Sequence, residues 1–194
     1  MASRSPELSY QLHIQLADIL PPIWRKILVP GSVTLSSLHQ ILQVVMGWEN
    51  YHLHQFIVGT TSYGEPDPEY DNNLKSHRHV RLRQIGRATG DRFIYEYDFG
   101  DSWRHEIIVE SIEPQPEDSY LLRCLDGARA CPPEDCGGVS GYEHLLEALR
   151  DRRHPEHHEL REWVGKQYDP ALFSLQAINS ALAMLITLRV VRGG

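Results

Sequence analysis

Apolar and polar residues alternate through Leu8, Tyr10, Leu12, Ile14 and Leu16, the period of a strand with one buried face. Pro21-Pro22 breaks the pattern, since proline cannot donate to a ladder. Ile23 to Val29 predicts a second strand, closed by Pro30-Gly31. The spacing then becomes helical. Thr34 can cap a helix carrying Leu35, Leu38, Leu42, Val45 and Met46 on one face, and Gly47 suits its C-terminal turn. Leu53 to Val58 reads as a third strand, and Gly64 to His79, proline-rich and acidic, as a long surface loop.

Phe93 to Tyr97 and Glu106 to Ile112 predict paired strands around the turn Asp98-Phe99-Gly100-Asp101. A connection rich in Pro, Glu and Asp leads to a cysteine segment. Ser140 and Glu143 have capping-box spacing ahead of Leu145, Leu146 and Leu149. A last helix is expected from Asp169-Pro170, with Leu172, Leu175, Ile178, Leu182 and Leu185 as its stripe and residues 190–194 as a frayed tail. The expected architecture is one α+β domain over 1–194, ordered from about 8 to 188. A mainly antiparallel or mixed sheet would pack on three to four helices.

Composition narrows the class. The chain has 194 residues, 26 acidic and 19 basic side chains and a formal charge of -7. That acidity argues against holding nucleic acid by bulk electrostatics. One local exception is the run from Lys75 to Arg92, where Lys75, Arg78, Arg81, Arg83 and Arg87 could grip an anion or a nucleic acid. No apolar run approaches the length of a bilayer span, and Met1 to Glu7 lacks an apolar leader core. A cytoplasmic setting with no membrane partner is expected.

Three cysteines are too few, and odd in number, for a disulfide framework. They are clustered, however, as Cys124, Cys131 and Cys136. The last two bracket Pro132-Pro133-Glu134-Asp135 and precede Gly137-Gly138, a rigid excursion able to present thiolates to a cation. Zinc takes four ligands, so a histidine must join the thiols: His105 first, His154 as the alternative. A different constellation is His52-x-His54, which on a strand would send both rings to one face. With Asp98 and Asp101 it could hold a catalytic metal, and Arg25 could clamp an anion.

Other motifs carry less. Asp98-Phe99-Gly100 matches a kinase tripeptide by accident, because the glycine-rich loop and the catalytic loop are missing. Gly137 to Gly141 opens a helix and could hold an anion, but no lysine follows and Glu134 and Asp135 would repel phosphate. No nucleotide cofactor is indicated, and no nucleophile elbow is present.

Several segments together resemble one family. They are Pro21-Pro22-Ile23-Trp24-Arg25, Leu38-His39, Met46-Gly47-Trp48 and His52-Leu53-His54-Gln55-Phe56, then Tyr97 through His105 and Cys131 through Gly138. From about Tyr10 to Leu182 the chain is similar to the plasmid pRiA4b open-reading-frame-three-like family, also labelled insertion-sequence passenger resolvase-like. The resemblance implies a stand-alone α+β domain of bacteria and archaea and brings no activity with it. Recombination does not carry over, since neither an arginine-surrounded nucleophilic serine nor a helix-turn-helix can be read here.

The leading expectation is therefore a non-enzymatic binding domain with a structural zinc on Cys124, Cys131, Cys136 and His105, meeting a protein or a nucleic acid. The alternatives are a metal-dependent hydrolase using His52, His54, Asp98, Asp101 and Arg25, and a metal-free interaction domain.

Overall fold

In a computed structural model, which describes residues 7–66, 74–115 and 122–192 (side chains through residue 187), eight strands form one mixed sheet. The strands are β1 (Leu8–Leu16), β2 (Trp24–Pro30), β3 (His54–Val58), β4 (Thr61–Gly64), β5 (Lys75–Ser76), β6 (Arg92–Tyr97), β7 (Trp103–Pro114) and β8 (Arg123–Ala128). Their order across the sheet is β5-β4-β3-β6-β7-β1-β2-β8, and every pairing is antiparallel except β4 with β5. The helices are α1 (Leu35–Met46), α2 (Leu82–Ile85), α3 (Gly138–Arg150), α4 (His157–Val164) and α5 (Leu175–Arg192). The result is a single α+β domain.

The alternation of β1 does what the sequence implies. Leu12, Ile14 and Leu16 are fully buried, while Gln11, His13 and Gln15 lie on the more open face. There Gln11 Nε2 and Lys26 Nζ both reach the Glu110 carboxylate, at 2.7 and 3.0 Å. On the buried face α1 supplies Leu35, Leu38, Leu42 and Val45. Thr34 caps this helix by accepting from the Ser37 N–H, and Gly47 ends it in the left-handed conformation.

Several expectations need correction. Ser140 does not cap α3; the helix begins at Gly138, after Gly137 in a left-handed conformation, so Ser140 is already inside. The last helix begins at Leu175, after Ser174, whose hydroxyl accepts from the Ala177 N–H; Asp169 instead closes a separate turn on Ala171 and Leu172. That helix runs on to Arg192, where a frayed tail was expected, and residues 193–194 lie outside the described residues. The loop expected from Gly64 contains β5 and the buried His77, and its residues 67–73 also lie outside the described residues. The short elements β4, β5, β8, α2 and α4 gave no recognisable period.

Helix α5 packs on β8 and α1. Its Asn179 side chain pairs with the main chain of Cys124 on the outermost strand, accepting from the N–H at 2.8 Å and donating to the carbonyl at 3.0 Å. This satisfies backbone groups that an edge strand otherwise leaves bare.

The segment joining β8 to α3 carries the cysteine motif and is bolted down at several places. Trp48 Nε1 donates to the Pro132 carbonyl at 3.0 Å, the Gly137 N–H donates to Asp101 Oδ2 at 3.1 Å, and Glu134 accepts from the Tyr97 hydroxyl at 3.0 Å. A Cβ at Gly141 would lie 1.9 Å from the Cys136 carbonyl oxygen. Gly141→Ala is accordingly expected to lose at least about 2 kcal/mol of stability in a urea titration, because the obstacle is backbone and cannot swing aside. An unchanged midpoint would mean that this loop is free to shift.

Candidate metal centre

The turn between β6 and β7 is shaped by Asp98, which adopts a left-handed conformation at φ 57°. Its Oδ1 accepts from the N–H groups of Gly100 at 2.9 Å and Asp101 at 3.3 Å. Short polar side chains favour turns for this reason. With Oδ1 so occupied, Oδ2 is left facing His52 Nε2 at 3.7 Å. The Asp98 N–H donates to the Leu53 carbonyl at 2.8 Å, so the turn is fastened directly to the segment that carries His52.

Two more carboxylates arrive from the cysteine loop. His52 Nε2 lies 3.1 Å from Asp135 Oδ1 and 3.8 Å from Glu134 Oε2. Glu134 is held by its other oxygen, which accepts from the Tyr97 hydroxyl and from the Glu49 N–H at 2.9 Å. Tyr97 itself accepts from the Tyr51 N–H at 3.1 Å. Burial and the Glu134 carboxylate raise the pKa of Tyr97, so it stays a hydroxyl that orients Glu134.

What remains at the centre is unsatisfied. His52 Nε2 and Glu134 Oε2 are both buried atoms without a hydrogen-bond partner, the 3.1 Å approach to Asp135 lacking hydrogen-bond alignment. Three carboxylates facing one imidazole nitrogen make a donor set for a cation, and burying such groups unpaired is unfavourable. Asp135, whose side chain is 71% exposed, leaves the site open to water on one side.

The other expected site residues are distributed differently. Asp101 spends Oδ2 on the Gly137 N–H and serves as the fastener of the loop rather than as a ligand. His52 and His54 lie on the same side, against Tyr97 and Tyr95 respectively, but His54 is drawn into a different cluster from His52. His54 stacks on His39 with ring centroids 3.5 Å apart, and its Nε2 lies 3.2 Å from His77 Nε2. Gln43 Nε2 donates to the Tyr95 hydroxyl, which therefore donates to His39 Nδ1, leaving His39 Nε2 to donate to Asn50 Oδ1. Burial lowers the pKa of His39 to about 4 and that of His54 to about 3.

The three thiols and His105 are not gathered around one point. Among the described residues, the groups of three or more potential ligands with donor atoms within 4.8 Å of one another are His52–Asp98–Asp135 and His144–His154–Glu156. Cys124 Sγ faces the Asp126 carbonyl at 3.4 Å. Cys131 Sγ sits 3.7 Å from Arg25 Nη2, a fixed positive charge that opposes a cation there. Burial and the neighbouring Asp101 push the Cys136 thiol up to about 12. His105 is fully buried and donates from Nδ1 to the Tyr95 carbonyl at 3.2 Å. His154, the alternative ligand, lies on the surface beside His144 and Glu156.

The basic run is largely occupied by the protein itself. Arg78 is paired with Glu65, Arg81 Nη1 donates to the Ser32 carbonyl, and Arg87 Nε donates to the Gln84 carbonyl. Lys75 lies on the two-residue edge strand β5, and Arg83 on the short α2. No helix among the described residues is long and apolar enough to cross a membrane.

Glu134 and Asp135 are the site residues that sequence reasoning missed. Their signal was two adjacent acids held between a proline pair and a glycine pair, in a loop rigid enough to aim them.

Comparison with known proteins bears on the whole arrangement. "Uncharacterized protein y4hQ" of Sinorhizobium fredii (strain NBRC 101917 / NGR234) is 38% identical over 174 residues, spanning 89% of each chain. A crystal structure of "Protein of Unknown Function MM3350" from Methanosarcina mazei Go1 superposes with a TM-score of 0.80 at 36% identity, over 89% of this chain and 98% of that one. The family model described as "Plasmid pRiA4b ORF-3-like protein" matches residues 8–177, a span that includes every element from β1 through β8 and the entire His52–Asp98–Glu134–Asp135 cluster. The chain belongs to the plasmid pRiA4b ORF-3-like family.

Proposed function

We propose that this protein binds one divalent metal ion through His52, Asp98, Glu134 and Asp135 and uses it in hydrolytic chemistry. The observation that carries this reading is the pair of buried, unpartnered ligand atoms, His52 Nε2 and Glu134 Oε2, facing each other at 3.8 Å, with the Asp98 and Asp135 carboxylates near the same imidazole nitrogen. One imidazole with hard oxygen ligands suits Zn2+ or Mn2+. Such an ion supplies Lewis acidity and a water of lowered pKa.

The chain's own contributions are positional. The Asp98 turn and the Tyr97 hydroxyl fix two carboxylates before any ion arrives, so little ordering is left to be done on binding. Exposed Asp135 stands where a proton could pass to solvent. Tyr51, Leu53 and Phe99 flank His52 and Asp98 in the chain and expose apolar surface, at 70%, 66% and 45%, to which a substrate could be held.

The test is a titration of chelator-treated, untagged protein with Zn2+ and with Mn2+, read by calorimetry and elemental analysis. One ion per chain is expected for the parent and for Cys131→Ser, and none for His52→Ala. Metal that stays with His52→Ala but leaves with the thiols would overturn the assignment. Chelator-insensitive or absent turnover of nitrophenyl ester and phosphodiester probes would remove the hydrolytic part.

A further inference from the structure

Arg25 is 97% removed from solvent, yet among the described residues no carboxylate pairs with it. Its five N–H groups are unevenly served. Nε donates to the Val45 carbonyl at 2.8 Å, and Nη1 donates to the carbonyls of Trp24 at 2.8 Å and Ala128 at 2.9 Å. Nη2 meets only the Cys131 sulfur at 3.7 Å. That sulfur lies 3.7 Å from Met46 Sδ in the geometry of a thiol donating to a thioether, so it supplies no negative charge. Phe173 lies over the guanidinium, 5.1 Å from ring centroid to the central carbon. The charge is thus buried against carbonyl dipoles, one of them in the last turn of α1, and a ring face, with no formal negative charge beside it among the described residues.

Arg25 also lines a cavity of about 350 Å³ between α1, α5 and the cysteine loop, whose other walls are mostly apolar, among them Val44, Trp48, Leu172 and Ile178. The volume is at the small end of ligand sites. Glu134 stands at another part of the wall, but its Oε1 is taken by Tyr97 and Glu49 and its Oε2 faces His52.

We propose that this cavity binds a small amphipathic carboxylate, its head group on Arg25 Nη2 and its hydrocarbon body against the walls contributed by α1 and α5. The apolar lining removes the tail from water, and the buried guanidinium, which has no carboxylate of its own, selects the head. A neutral molecule of the same shape gains only the first of these terms. The site is separate from the metal cluster, although Glu134 belongs to the edges of both.

The test measures octanoate against 1-octanol by Trp48 fluorescence and calorimetry, in parent protein, Arg25→Met, Ala177→Trp and chelator-treated His52→Ala. Saturable octanoate binding, at least about tenfold tighter than octanol, is expected for the parent. Arg25→Met should level the two affinities. Ala177→Trp, which fills the cavity from α5 while leaving Arg25 in place, should abolish both and covers the case in which Arg25→Met does not fold. His52→Ala without metal should bind octanoate like the parent, which separates this site from the metal reading. Equal affinity of the parent for acid and alcohol, or octanoate binding indifferent to Ala177→Trp, would overturn the proposal.

Discussion

Acidification from pH 6.5 to 4.5 is expected to strip more than about 3–5 kcal/mol of stability from the protein. His39 and His105 account for that much by themselves, and His54, with its pKa lowered to about 3, contributes in the same direction. His39 and His105 are buried, at 4% and 0% exposure, and burial lowers each pKa to about 4. In the unfolded chain each returns to about 6.5. Above 6.5 both states are neutral and the contribution is complete. As pH falls below 6.5 the unfolded chain takes up protons that the native state refuses until about pH 4, so stability declines across that window. Each group accounts for up to about 1.4 kcal/mol per pH unit.

The structural reasons are specific. His39 Nδ1 accepts from Tyr95 in a chain that starts at Gln43, so a proton there would face a donor. His105 Nε2 is buried without any partner. Urea midpoints followed by tryptophan fluorescence at pH 7, 6, 5 and 4.5 would measure the slope. A flat profile down to pH 5 would mean that these imidazoles are already hydrated or charged in the native state.

Asp98→Asn and Asp98→Ala should separate the two jobs of one side chain. Asparagine tolerates the left-handed conformation and keeps an oxygen for the Gly100 and Asp101 N–H groups, so the fold should stay within about 1 kcal/mol of the parent. It loses the charge that faces His52, and metal affinity should fall at least about 100-fold, the upper range seen for mere supporting groups. Alanine loses the turn bonds as well and should cost a further 1–3 kcal/mol, roughly, for a strained residue with no compensation. Competition with a zinc indicator and thermal melts of the same samples would show the split. Parental metal affinity in Asp98→Asn would take Asp98 out of the site.

The sequence was most legible where period and burial coincide. Strand β1, helix α1 with its Thr34 and Gly47 ends, and the β6–β7 pair around Asp98 all have one buried face and a distinct stop. Strand β8 was hidden because Asp126 and Gly127 interrupt it, its register with β2 shifts between Lys26 and Ile27, and Cys124 is its only buried residue. Helix α4 has no buried residue, so it offers no core stripe to recognise. Within the site, His52 and Asp98 were readable as chemistry, whereas Glu134 and Asp135 depend on a loop whose docking is tertiary. The cysteines mislead for a related reason: closeness in sequence says nothing once Cys124 lies on a strand under α5 and Cys131 turns inward to Arg25.

The amide of Asn179 stands in for a neighbouring strand along the rim of β8. At Cys124, therefore, the rim offers no free N–H and carbonyl pair to an incoming polypeptide. Helix α5 thus covers one of the two edges of the sheet at Cys124, while β5 forms the other edge.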